Sequence, residues 1–263
     1  QIAIGDNLLI RPWIKTLVRL NNSFIVKRGV SVRQMLDVSQ TLSAYIHHTI
    51  RETKESIWIA QREGRAKDSN DKTQSSVLKM LNMGGDKGNL LYNLMELNIV
   101  PVAISYEYDP CDYLKAQEFQ QKRDDPNFVK SQRDDLLNME TGILNNKGRV
   151  HFTITNPINE KLATLDPNLE KNELVNRIAN IIDREIYLNY RFYPCNYVAY
   201  DMRMGTNRFK DHYSPKDKVA FENYLNGQIE KIVLPNKDEA FLRGKILEMY
   251  SNPLKNHLSV KDF

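Results

Sequence analysis

Ile57-Trp58-Ile59-Ala60-Gln61-Arg62-Glu63-Gly64-Arg65-Ala66-Lys67-Asp68 joins a short apolar run to a polar segment. A second apolar run, Ile99-Val100-Pro101-Val102-Ala103-Ile104-Ser105, follows. Both apolar runs read as buried strands. The polar segment falls where the first strand ends, and in open α/β sheets ligands bind outside the carboxyl ends of strands. Arg62, Arg65 and Lys67, with Gly64 among them, suit a phosphate there.

The flanking chain supports strand–helix–strand units. Gln1 to Asp6 reads as a strand end and turn, and Leu8 to Val18 recurs at helical spacing with Pro12 in its first turn. Ser23 to Lys27 reads as a strand. Ser31 and Gln34 form a capping box ahead of a helix reaching Lys54, with Val32, Met35, Leu36, Leu42, Tyr45, Ile46 and Thr49 on one face. His47 and His48 lie beside that face and read as surface or half-buried. With the Ile57 strand this makes a right-handed parallel βαβ unit. Helices over Ser75–Met83 and Asn89–Leu97, joined by a Gly84–Asn89 turn, lead to the Ile99 strand and a second unit. The expected fold is α/β: a mostly parallel central sheet flanked by helices, with a largely helical C-terminal half, forming one domain over residues 1–263.

In that second half, Asp112 to Asn138 is charged and helical, broken at Pro126, and reads as a solvated excursion. Val150, Phe152 and Ile154 alternate with polar residues as in a half-buried strand. Leu174 to Ile186 carries a strong helical face, and Tyr187, Tyr190, Phe192 and Tyr193 form an aromatic cluster. Ser214-Pro215 starts another helix. Asn236 and Glu239 cap a last one running to about Tyr250, leaving His257 in a tail.

Composition narrows the class. The chain is 41% apolar and 27% charged, as in soluble globular proteins, and carries a net charge of +4. Cys111 and Cys195 lack metal spacing and read as structural thiols in a reducing compartment. No apolar run approaches the ~18 residues of a membrane span. The Gly84–Asn89 turn lacks the Gly-Lys-Ser/Thr of a nucleotide-binding loop. The charge is modest and no basic-aromatic motif occurs, so no nucleic-acid partner is expected.

Phe24-Ile25-Val26-Lys27-Arg28, Glu63-Gly64-Arg65 and Val100-Pro101-Val102-Ala103-Ile104, in that order, resemble three of the four blocks of the glycerolipid acyltransferases. That family acylates glycerol 3-phosphate or its 1-acyl derivative. The likeness covers roughly Ala3 to Asp109. Arg65 stands where the family has Thr, and Ala66 where it has Arg, which points to a divergent branch. The family's first block, His-x4-Asp, has no counterpart ahead of Phe24. His212-x4-Asp217 and His257-x4-Asp262 come too late in the order, and Asp217 sits in the first turn of the Pro215 helix. The chain opens at Gln1 without methionine, so the expectation is an N-terminally truncated fragment, inactive because the pair lies upstream.

The resemblance implies a donor thioester on coenzyme A or acyl carrier protein, no further cofactor and no metal. A glycerol-phosphate hydroxyl attacks its carbonyl. Arg28 and one of Arg62 or Arg65 bind the acceptor phosphate, and Gly64 lets the backbone approach. Glu63 orients an arginine or bonds the glycerol, and the Pro101 strand walls the pocket. The resemblance also implies a cytoplasmic protein, peripheral on the inner face of the membrane. The competing expectation is a non-catalytic phosphate- or lipid-binding module of the same fold.

Overall fold

A computed structural model describes residues 1–6, 9, 12–27, 31–64, 66–86 and 88–261, the Val32 side chain excepted. The chain divides into two compact units. The first comprises residues 1–64, 72–101 and 156–183; the second comprises 65–71, 102–155 and 184–263.

The first unit opens with β1 (Ile2–Gly5), α1 (Pro12–Leu20) and β2 (Ser23–Val26), and the two strands pair in parallel, Ile2 with Ser23 through Gly5 with Val26. Pro12 takes the first helical position, where its missing N–H costs no bond. Then comes α2 (Val32–His48), capped reciprocally by Ser31 and Gln34 as the sequence requires. A π-helical turn, Thr49–Thr53, extends it, and Lys54 ends it in the left-handed region at φ 57°. The unit continues with α3 (Ser75–Asn82), α4 (Leu90–Glu96), the single turn α7 (Asn159–Leu162) and most of α8 (Lys171–Leu188).

The second unit contains β3 (Val102–Tyr106) and β4 (Val150–Ile154), with α5 (Asp112–Asp124) and α6 (Gln132–Leu144) between them. It ends in α9 (Pro194–Met204), α10 (Pro215–Glu230) and α11 (Glu239–Lys261). Its core is built by Phe221, Leu225, Leu242, Ile246 and Tyr250 from α10 and α11, packed with Val198 and Ala199 of α9 and Ala116 of α5.

The protein is therefore mostly helical, not α/β. Helix accounts for 59% of it, and its strands make two short two-stranded sheets in place of a central parallel one. Two expected pairings account for the difference. The Ile57 run reaches β1 through one parallel bridge, Ile2 to Trp58, and does not form a full strand. The Ile99 run does become β3, but its partner is β4, antiparallel, with Ser105 opposite His151. It thus completes no second βαβ unit.

Smaller expectations also change. On α2 the buried residues are Ser43, Ile46 and His47, with Thr49 just beyond, while Met35, Leu36 and Tyr45 are exposed. His47 is buried because its Nε2 lies 2.9 Å from the Leu81 carbonyl oxygen. On β4, Val150, Phe152 and Ile154 are the exposed residues. Their neighbours His151 and Thr153 sit opposite Ser105 and Ala103, which are buried. The α5 stretch is no solvated excursion, since Asp112, Ala116, Glu118 and Gln120 are buried. The last helix runs to Lys261 through Pro253, and Asp238 accepts from the Phe241 amide at its start. His257 belongs to this helix and not to a tail; its Nδ1 lies 2.8 Å from the Tyr187 carbonyl oxygen. No helix among the described residues is long and apolar enough to cross a membrane.

Candidate functional site

The parallel arrangement of β1, β2 and the Trp58 bridge sends all three segments out in the same direction. Trp58 is held by its amide donating to the Gln1 carbonyl at 2.8 Å and its carbonyl accepting from Ala3 at 2.9 Å. The chain that leaves this bridge is Gln61 to Gly64, and the chain that leaves β2 begins with the exposed Lys27. Carboxyl ends of parallel strands are where a ligand meets backbone and side chains from several segments at once.

The Gln61–Gly64 segment is fixed by polar bonds. The Gln61 carbonyl accepts from the Gln74 amide at 3.0 Å, and the Glu63 amide donates to Gln74 Oε1 at 2.7 Å. Thr73, next in line, donates from both its amide (2.8 Å) and its hydroxyl (2.6 Å) to Asp183 Oδ1 on α8. Gly64 adopts φ +73°, and a Cβ there would meet nothing within 4 Å. Glycine is needed for the backbone angle and not for room.

Within this frame Arg62 is half-buried, and its Nε is buried with no hydrogen-bond partner among the described residues. A guanidinium donor removed from water and left unmatched is costly, and an anion satisfies it. Glu63 is exposed. It does not take Lys67, whose ammonium pairs with Glu118. Pro101 is buried just ahead of β3, in a stretch anchored by the Ile158 amide donating to the Ile99 carbonyl at 3.0 Å. The strand that follows Pro101 joins β4 and not the parallel pair that carries Arg62. Arg28 and Arg65 lie outside the described residues.

The two late His-x4-Asp matches have structural occupations. Asp217 closes the capping box of α10, its Oδ2 accepting from the Ser214 amide at 2.8 Å. His212 stacks on Tyr197 with ring centroids 4.6 Å apart. Asp262 lies outside the described residues. Among the described residues no group of three or more His, Cys, Asp or Glu side chains is placed to hold a metal ion.

A second concentration of chemistry, in the second unit, has no signature in the sequence. Asp112 is fully buried at the start of α5. Its Oδ2 accepts from Tyr224 (2.7 Å) and Tyr250 (2.8 Å), and its Oδ1 from Gln228 Nε2 and the Tyr113 amide, both at 2.6 Å. Burial pushes its pKa up to about 6, against the pull of the two tyrosine hydroxyls. Burial and the Asp112 carboxylate push both tyrosines well above the ordinary phenol range. Every lone pair of the carboxylate has a donor from α5, α10 or α11, so the cluster ties three helices together. Spacing could not have revealed it, because Tyr224, Gln228 and Tyr250 each lie more than a hundred residues from Asp112 in sequence.

No family model, no curated protein and no solved structure matches this chain.

Proposed function

We propose that the protein is a divergent glycerolipid acyltransferase. It moves a fatty acyl group from acyl-coenzyme A or acyl carrier protein to the hydroxyl of a glycerol phosphate, in phospholipid synthesis. The observation that carries this reading is the unmatched, buried Nε of Arg62 beside the left-handed Gly64, on the carboxyl side of a parallel strand bridge. It occurs in the segment that the Glu63-Gly64-Arg65 block assigns to the acceptor phosphate. Arg62 holds that phosphate, with Arg28 and Arg65 as further cations, and the Glu63 carboxylate bonds the glycerol hydroxyls. Pro101 belongs to the Val-Pro-Val block, which the resemblance assigns to the wall of the acceptor pocket. These residues bind and orient the acceptor. Proteins acting on such substrates work at the cytoplasmic face of a membrane, which is the expected location, with peripheral attachment.

Calorimetric titration with sn-glycerol 3-phosphate tests the reading. Saturable binding is expected, weakened at least tenfold in Arg62→Gln and competed by inorganic phosphate. Absence of binding, or an affinity indifferent to Arg62, overturns it. The same unmatched Arg62 Nε equally supports a second reading, a non-catalytic phosphate- or lipid-binding module. Acyl transfer to glycerol 3-phosphate by the native protein, with whatever precedes Gln1 in place, assigns the enzyme; binding without transfer by that native protein assigns the module.

A further inference from the structure

The second unit contains a cavity of about 450 Å³, within the ~300–1,000 Å³ of small-molecule sites. Every residue lining it belongs to that unit and none to the Gln61–Gly64 segment, so its ligand is independent of the Arg62 site. Its walls come from β3, the turn before α5, α6 and α11, with residues 66–71 and 190–191 closing it. Ile104, Met139, Met249 and Pro253 supply apolar surface. Pro253 lies inside α11 and has no N–H for the Met249 carbonyl, which loses its helical donor at the wall. The adjoining Tyr250 carbonyl accepts from Asn196 Nδ2, at 2.9 Å.

Most polar groups lining the cavity are already committed. Lys115 is paired with Asp109. Lys147 donates to the carbonyls of Ile143 and Asn145. Asp71 accepts from the Tyr190 hydroxyl, and the Tyr250 hydroxyl belongs to the Asp112 cluster. Arg191 differs. Its amide donates to Ser105 Oγ at 3.0 Å, which fixes its backbone at the cavity, and its side chain, exposed to solvent at the cavity's edge, has no ion pair or hydrogen bond among the described residues. The hydroxyls of Tyr106 and Ser69, also lining, are likewise uncommitted there. One solvent-accessible cation and two uncommitted hydroxyls beside a largely apolar wall suit a ligand with one anionic end and a hydrocarbon body.

We propose that this cavity binds a small amphipathic anion, an alkyl chain ending in a carboxylate or a phosphate. The chain lies against Ile104, Met139, Met249 and Pro253, and the anionic end is held by Arg191 with Tyr106 and Ser69. Carboxylate and phosphate share this chemistry and point to different sources, a free fatty acid or a single-chain phospholipid. The probes that separate them are decanoate and decyl phosphate, with decanol as the neutral homologue.

Titration of the 263-residue protein is expected to give saturable binding of one equivalent of at least one anion. The tighter one identifies the source. Arg191→Gln should weaken the anion at least tenfold and leave decanol within twofold. Gly142→Leu narrows the cavity from α6. A Cβ at Gly142 meets only Cys111 Sγ, at 3.5 Å, and leucine is the better helix former, so the variant should fold and bind all three probes at least tenfold more weakly. Failure of both anions to bind overturns the proposal. So does anion binding that survives either substitution unchanged.

Discussion

Gly84 rests directly on the backbone of Ser43. Its amide donates to Ser43 Oγ at 2.7 Å, and a Cβ built on it would fall 2.5 Å from the Ser43 carbonyl carbon. Ser43 in turn donates to the Leu81 carbonyl at 2.9 Å, so one buried hydroxyl joins α2 to the end of α3 and to the turn beyond. The glycine-rich turn serves helix packing, and Asn89 at its far end caps α4 by accepting from the Tyr92 amide.

Gly84→Ala should therefore be among the most damaging single-methyl changes in the protein. The clash is with main chain that cannot rotate away, and a loss on the order of 3 kcal/mol is expected. The midpoint of urea unfolding measures it. A midpoint within experimental error of the wild type would show that the turn can move off α2.

Gly64→Ala should behave differently. Nothing obstructs the methyl group, and only the left-handed backbone opposes it. The expected loss is about 1 kcal/mol, with Gly64→Asn smaller because asparagine tolerates that region. Equal losses for alanine and asparagine would contradict a purely conformational origin.

Asp112 gives the protein a pH dependence of definite sign. The carboxyl has its ordinary pKa of 3.8 when unfolded and about 6 when folded. Its contribution is fully present below pH 3.8, where it is protonated in both states, and is lost as pH rises through 6. The loss is on the order of 3 kcal/mol. Asp112→Asn removes this titration. The unfolding free energy of the wild type, less that of the variant, should fall between pH 4 and pH 7. Parallel profiles would mean that the carboxyl ionises alike in both states.

Neither thiol is in a disulfide and both are buried. Cys195 donates to the Glu107 carbonyl at 3.1 Å, and burial pushes its pKa up to about 12. Since the thiolate is the reactive form, neither cysteine should react with a disulfide reagent at pH 7.5 in the folded protein, and both should in guanidinium. A fast-reacting thiol under native conditions would place one of them nearer the surface.

What is legible in the sequence is local. Ser31 with Gln34, and Ser214 with Pro215 and Asp217, announce helix starts because each contains its whole mechanism within four residues. The apolar runs at Val102 and Val150 are recognisable as strands for the same reason. Which strand pairs with which is not local, and the Ile99 run reads as part of a parallel sheet although β4 is its partner. Alternation at Val150, Phe152 and Ile154 shows that these three share a face, but not that the other face is the buried one. Of the candidate site, the block around Glu63 and Gly64 is legible as chemistry. The unmatched Nε of Arg62 and the free guanidinium of Arg191 depend on what neighbouring segments leave unbonded. Periodicity carries no trace of that.

The division into two units has a consequence for synthesis. The chain passes from one unit to the other five times, and the first unit draws its last segment from residues 156–183. A nascent chain leaving the ribosome at ~5–20 residues per second cannot finish its N-terminal unit before Asp183 has been made. By then residues 102–155 of the second unit have already emerged. Asp183 accepts both bonds from Thr73, so the loop after Gly64 acquires its anchor late. Its final form is set long after its own residues were added.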